Sequence, residues 1–292
     1  MSFDSHPSHH RSLQEMQFVL RHPRTPVNKH TFCRQFLPGL ACLVFACSLR
    51  SIQAAAGEPA SPANGEVWSP VPSMVAAPAG EPPSDAMVLF DGRNLEAWES
   101  AKNPGRPAPW QIVDGALVFS PEMGDIQTKA AWGDLQLHLE FRISSAITGT
   151  GQHRGNSGIF FMGLYELQVL DSYNSRTYVN GQAGAIYKQY APLVNAARPP
   201  GEWQTYDAVW IAPRFGPDGR LRSPARLTVL HNGVLVQYDS VVRGPTANPG
   251  APSYRPHEAR LPLRLQAHKN DTKQAVAYRN IWVREINLPG QP

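Results

Sequence analysis

From Met87 onward the chain alternates apolar and polar positions in short runs bounded by Gly, Pro, Asn and Asp. A period of two sends successive side chains to opposite faces of a strand, and convincing 3.6-residue periodicity is absent. Strands are predicted at Met87–Phe90, Trp110–Val113, Ala116–Phe119, Leu135–Ile143, Gly158–Met162 and Tyr165–Leu170. The series continues with Trp203–Ile211, Ala225–Leu230, Val234–Val242, Leu263–Ala267 and Arg279–Glu285. Asp114-Gly115 and Asn232-Gly233 are two-residue hairpin signals, because these pairs accept the positive φ angles of a primed turn. Many short strands with tight turns predict an all-β, two-sheet sandwich.

Three strands carry a further pattern. In Leu135–Ile143, Leu137, Leu139 and Phe141 alternate with His138, Glu140 and Arg142. In Tyr165–Leu170, Tyr165, Leu167 and Val169 alternate with Glu166 and Gln168. In the last of the three, Leu263, Leu265 and Ala267 alternate with Arg264, Gln266 and His268. Each apolar set predicts a core face and each polar set the opposite one. Solvated outer faces explain such rows equally well. However, Glu, Gln, Arg and His suit directed hydrogen bonds and proton transfer better than the usual Thr, Ser and Lys do.

Composition divides the chain. Residues 1–56 hold six Lys/Arg and two acids, and residues 57–292 hold 21 of each sign, so the formal charge of +4 belongs to the leader. The body is neutral by count, which removes the electrostatic case for nucleic acid as a partner. All three cysteines (Cys33, Cys42, Cys47) also lie in the leader, so the body has neither a disulfide nor a thiolate zinc site. A basic stretch ending at Arg34, an apolar run over 36–49 and Ala54-Ala55-Ala56 predict a signal peptide over 1–56 and a secreted or periplasmic protein. An uncleaved anchor and a lipoprotein modified at Cys47 are the alternatives; Val44-Phe45-Ala46 is a poor approach for the latter. Residues 57–84, with seven prolines, predict a disordered linker. One domain over 85–288 follows, with no membrane span expected in it.

Ten segments in order resemble one known family, across essentially all of 87–286. Among them are Leu89-Phe-Asp-Gly-Arg-Asn-Leu-Glu-Ala-Trp98, Trp110-Gln-Ile-Val-Asp-Gly-Ala-Leu117, Gly155-Asn-Ser-Gly-Ile-Phe160 and Tyr165-Glu-Leu-Gln-Val-Leu-Asp-Ser-Tyr173. Gly184-Ala-Ile-Tyr-Lys-Gln-Tyr-Ala-Pro192, Gly201-Glu-Trp-Gln-Thr-Tyr-Asp207 and Leu265-Gln-Ala-His268 extend the set. The sequence is similar to the 3-keto-disaccharide hydrolase domains, once called domain of unknown function 1080. Departures sit in loops, at Ala146–Arg154 and in the Pro-rich Pro245–Arg260. The resemblance implies a concanavalin A-like jelly roll, a carbohydrate substrate oxidised at C3, and cleavage of its glycosidic bond.

A 3-keto group acidifies the C2 hydrogen, so a base can remove it and the C1 substituent can then leave. That route needs a base, a cationic centre for the enolate oxygen and an acid for the leaving oxygen. Glu166 and His268 are the candidate bases, and Asp171 is expected to orient His268 or bind a cation. Arg142 is expected at the enolate, with Lys188 assisting. Asn156, Gln168 and Gln266 offer amides for sugar hydroxyls, and Tyr187, Tyr190 and Trp203 offer rings. Glu166, Asp171 and His268 are hard or borderline ligands, so a divalent metal stays an open option. His231 reads as structural, His153 as a loop histidine, and Glu140 as an ion-pair partner of Arg142 or Arg264. A non-catalytic sugar-binding domain and an envelope scaffold are the competing readings, since fold does not fix function.

Overall fold

Alternation of apolar and polar residues builds two antiparallel sheets. The computed structural model describes residues 65–287; the expected signal peptide, Cys47 and the first part of the expected linker lie outside them. Residues 65–86 contain no strand, and most of their side chains are exposed. Residues 70–287 belong to one compact unit.

The strands are β1 (Met87–Phe90), β2 (Trp98–Ser100), β3 (Gln111–Val113), β4 (Ala116–Val118), β5 (Ile126–Trp132), β6 (Leu135–Ile143), β7 (Ser157–Phe161) and β8 (Tyr165–Val169). They continue as β9 (Trp203–Ile211), β10 (Arg214–Phe215), β11 (Leu221–Ser223), β12 (Arg226–His231), β13 (Val234–Val241), β14 (Leu261–Leu265) and β15 (Val276–Glu285). One sheet has eight strands in the order β13-β12-β9-β6-β15-β4-β3, with β1 also paired to β15. The other has five, in the order β2-β5-β14-β7-β8. β10 and β11 form a separate ribbon. Both hairpin signals hold: Asp114, Gly115, Asn232 and Gly233 all have positive φ.

The core lies between the sheets. Leu135, Leu137, Leu139, Phe141 and Ile143 face it from β6, and Tyr165, Leu167 and Val169 face it from β8. Burying each such side chain contributes about 1.5–3 kcal/mol. Two core tyrosines tie the five-stranded sheet down by their polar ends: Tyr206 donates to Gln168 O (2.9 Å) and Tyr278 to Ser157 Oγ (2.7 Å). This is the two-sheet sandwich expected from the pattern, of the concanavalin A-like kind that the resemblance implied.

Four strands escape the alternation rule. In β5 the inward residue Thr128 is polar, and its hydroxyl is satisfied locally by donating to Ala130 O and accepting from Leu263 N. β2, β10 and β11 are two or three residues long, too short to show a period. β14 starts earlier than expected, at Leu261, and passes through Pro262 where its pairing with β5 shifts.

Candidate active site

The outward face of the five-stranded sheet is laid out in cross-strand rows. Glu166 on β8 lies opposite Phe160 on β7, which lies opposite Arg264 on β14. In the next row Gln168 lies opposite Gly158, whose carbonyl accepts from the Gln266 N–H (3.0 Å). Asn156 and His268 stand beyond the ends of β7 and β14. Asn270 links them: it donates to Asn156 O (2.9 Å) and His268 O (3.0 Å) and accepts from Asn156 N (2.6 Å).

β8 is buried on both faces, unlike an ordinary outer strand. The segment Gly184–Tyr187 runs along it, with Gln168 N donating to Ala185 O and Tyr187 N to Glu166 O. From the Pro-rich insertion, Thr246 N donates to Leu164 O, and Thr246 Oγ1 accepts from Glu166 N (3.0 Å). Gln189 stitches the two segments together through Gly244 O and Arg243 N. A segment that follows the family pattern, Gly184–Tyr187, and one that departs from it, the Pro-rich insertion at Thr246, thus wall the β8 side of the face.

Glu166 is only 5% exposed, yet among the described residues its carboxyl makes no hydrogen bond or ion pair. The side chain lies over Gly158, where an added Cβ would stand 2.7 Å from Glu166 Oε1 and 2.7 Å from Phe160 Cε2. Burial pushes this carboxyl up to about 8; the Arg264 charge opposes that and Asp125 adds to it. A buried polar group without a partner is costly, and a functional role is one explanation for its presence. Around it, Gln168 Oε1, Gln266 Oε1 and Arg264 Nε are fully buried and unpartnered, whereas the Glu166 oxygens keep a little contact with solvent. The Arg264 guanidinium lies 4.1 Å above the Phe160 ring and 3.7 Å from Asp125, so its position is fixed by neighbours other than Glu166.

His268 is partly buried. Burial lowers its pKa, and the hydrogen bond from Nδ1 to Lys269 O (2.7 Å) raises it in part. A carbonyl only accepts, so Nδ1 carries the proton and Nε2 of the neutral ring keeps its lone pair. Glu166 and His268 are two strands and two rows apart, at opposite ends of the face.

Of the residues expected at a site, Glu166, Asn156, Gln168, Gln266 and His268 gather on this face. Gln168 Nε2 donates to Asn156 Oδ1 (3.3 Å) and Gln152 Oε1 (3.2 Å). Tyr187 stands at the rim with its hydroxyl 2.6 Å from that of Tyr178, and its phenol is raised by burial first and by that contact second. Lys188 is exposed on the same rim and donates to Asn248 Oδ1 (2.6 Å).

Others go elsewhere. Asp171 does not orient His268: it is buried in an ion pair with Arg154 (2.5 Å) and accepts from Tyr173 N (3.1 Å). Glu166, Asp171 and His268, the residues open as ligands for a divalent metal, are therefore not brought together. Among the described residues no group of three His, Cys, Asp or Glu side chains is placed to hold a metal. Arg142 is on the opposite sheet, stacked on Trp203 (4.7 Å). Alternation alone could not say which sheet a polar row joins. Trp203 sits with it, and Tyr190 lies beneath Arg243 (4.5 Å). Glu140 pairs with Arg279 (2.7 Å), not with Arg142 or Arg264, because β15 is its neighbour in the sheet. His231 is structural, fully buried beside Gln204, and desolvation lowers it to about 4. Arg264, Asp125 and Gln152 were not singled out as site residues. Arg264 lay in the row with Gln266 and His268, which was the signal available for it.

A concanavalin A-like sandwich carrying unpartnered amides and a carboxyl on one outward face is a carbohydrate-active domain of the glycoside hydrolase-like kind. The chain belongs to the 3-keto-α-glucoside-1,2-lyase-like domain family, whose model matches residues 85–284. A crystal structure of a candidate glycosyl hydrolase from Parabacteroides distasonis is 46% identical, with a TM-score of 0.73 over 76% of this chain and 95% of that one. A second candidate glycosyl hydrolase of that organism is 19% identical, with a TM-score of 0.48 over 70% of this chain and 94% of the other. No curated protein matches the chain. Among the described residues no helix is long and apolar enough to cross a membrane.

Proposed function

We propose that the protein is an exported enzyme that cleaves the glycosidic bond of 3-keto-glycosides or 3-keto-disaccharides by elimination followed by hydration. The observation that carries this reading is the buried, unpartnered Glu166 carboxyl among unpartnered amides. A carboxyl that titrates near neutral pH suits a group that takes a proton and gives it back. Glu166, raised to about 8, does both, as base in its ionised form and then as acid. His268, at the far end of the face with Nε2 free, accepts from a hydroxyl of the departing group.

The ionised Glu166 carboxylate takes the C2 hydrogen as a proton, and the electron pair forms the enolate of the C3 ketone. Arg264 takes the part expected of Arg142 and stabilises the enolate oxygen. The pair then forms the C1–C2 double bond as the C1–O bond breaks, and Glu166 gives the same proton to the departing oxygen. Water adds across C1 and C2 of the unsaturated ketone and restores the 3-keto sugar. Gln168, Gln266 and Asn156 read the ring hydroxyls. Tyr187 and Lys188 border the substrate on the β8 side.

The test is turnover. The full chain is incubated with 3-keto-trehalose, 3-keto-sucrose and a 3-keto aryl glucoside beside their unoxidised parents, with and without EDTA. Release from the keto sugars alone is expected. Sugar binding without release from any keto sugar would convert the face into a lectin-like site and overturn the proposal.

A further inference from the structure

The opposite face of the molecule holds a second feature. One cross-strand row of the eight-stranded sheet runs Val118, Ala277, Arg142, Trp203, on β4, β15, β6 and β9. Val118 and Ala277, with Ala116, form a small apolar cluster separate from the main core, and Trp203 packs against it. Because Ala277 is short and stands between larger neighbours, the sheet surface dips there. The result is a cleft of about 290 Å³, lined by Asp114, Val118, Arg142, Ser145, Gln274 and Ala277 among others.

The electrostatics of this cleft differ from those around it. Arg279 and Arg142 both stack on Trp203, at 4.0 and 4.7 Å. Arg279 is also paired with Glu140. Arg142 is half-buried, and among the described residues its guanidinium has no hydrogen-bonded or ion-paired partner. Its stacking on Trp203 fixes its direction while leaving its N–H donors free, which is how a guanidinium is pre-organised for recognition. Asp114, on the β3–β4 turn, offers acceptors to the same cleft.

We infer that this cleft is a second carbohydrate site, which takes one neutral pyranose ring. Val118 and Ala277, both nearly buried, would floor the cleft, and its polar lining of Arg142, Ser144, Ser145 and Gln274 would hold the ring by its hydroxyls. Arg142 would donate to hydroxyl oxygens, and Asp114 would accept from hydroxyl hydrogens. A donor and an acceptor in one cleft suit a diol, whereas the Asp114 carboxylate disfavours an anion. The volume is at the small end for ligand clefts, consistent with one ring rather than a chain. The site is on the other sheet from Glu166, so it does not depend on the reaction proposed above.

Binding of trehalose and methyl glucopyranosides to the full chain is measured by calorimetry. Arg142→Ala is expected to weaken binding about tenfold or more. Ala277→Leu, which fills the cleft and leaves the stack on Trp203 intact, is expected to do the same. Asp207→Asn, elsewhere on the same sheet and paired with His138, is expected to change it less than twofold, and turnover of 3-keto substrates is expected to persist in Arg142→Ala. Loss of binding in Gln168→Ala with retention in both cleft variants would overturn the inference. So would the absence of sugar binding, or competition by sulfate showing that the cleft prefers anions.

Discussion

The outward faces of the two sheets carry similar residue types and do opposite things with them. On the eight-stranded sheet the polar row of β6 is mostly paired off: His138 with Asp207 (2.6 Å) and Glu140 with Arg279 (2.7 Å). On the five-stranded sheet the loops over β8 remove Glu166 and Gln168 from water without supplying the Glu166 carboxyl a partner. A carboxylate in an ion pair at the surface stays ionised and contributes little to stability. A carboxyl desolvated alone is held neutral, at a cost that function can use. The chemistry therefore follows from what covers a row and what faces it, more than from which residues compose it.

The contrast can be broken first through stability. Glu166 is raised from an ordinary carboxyl value to about 8 in the folded state, so the folded protein holds a proton that the unfolded chain releases. Its contribution is complete below about pH 4.5 and is lost as pH rises through 8, which amounts to about 5 kcal/mol. Glu166→Gln should remove that slope and unfold at higher denaturant than the parent at pH 8.5. His231, lowered to about 4, acts in the other direction, its stabilisation being lost as pH falls below about 6.5. Comparing parent with variant isolates Glu166.

Turnover gives the next largest effect. Glu166→Gln should lower kcat about 10³-fold, within the range for a lost acid or base, while sugar binding is kept within a few-fold. Gly158→Ala should cost about 10²-fold in kcat, because its Cβ displaces the glutamate it lies beneath. The smallest effect belongs to the other face. Glu140→Gln, which breaks the ion pair with Arg279, should leave kcat unchanged and cost less than about 1 kcal/mol in denaturant unfolding.

The same contrast marks what the sequence could reveal. Leu137, Leu139 and Phe141, and likewise Tyr165, Leu167 and Val169, announce their core faces because period two is a local property. For the same reason Glu166 and Gln168 could be read as pointing away from the core. Arg142 carried the same signal and landed on the other sheet, because sheet membership depends on pairings between strands far apart in the chain. Asp171 ends the Glu166 strand but faces Arg154, a partner 17 residues away that no spacing suggests. The burial of Glu166 comes from Thr246 and Tyr187, in loops without periodicity. Thr128 hides a strand by putting a satisfied hydroxyl on the core face.

The most direct measurement is the titration of the Glu166 carboxyl itself, followed by carbon-13 NMR or difference infrared spectroscopy, with Glu166→Gln identifying the signal. A carboxyl still protonated at neutral pH and titrating near 8 is the expected result. A Glu166 carboxylate fully ionised by pH 6 would contradict the desolvated, unpartnered acid on which the proposed chemistry rests.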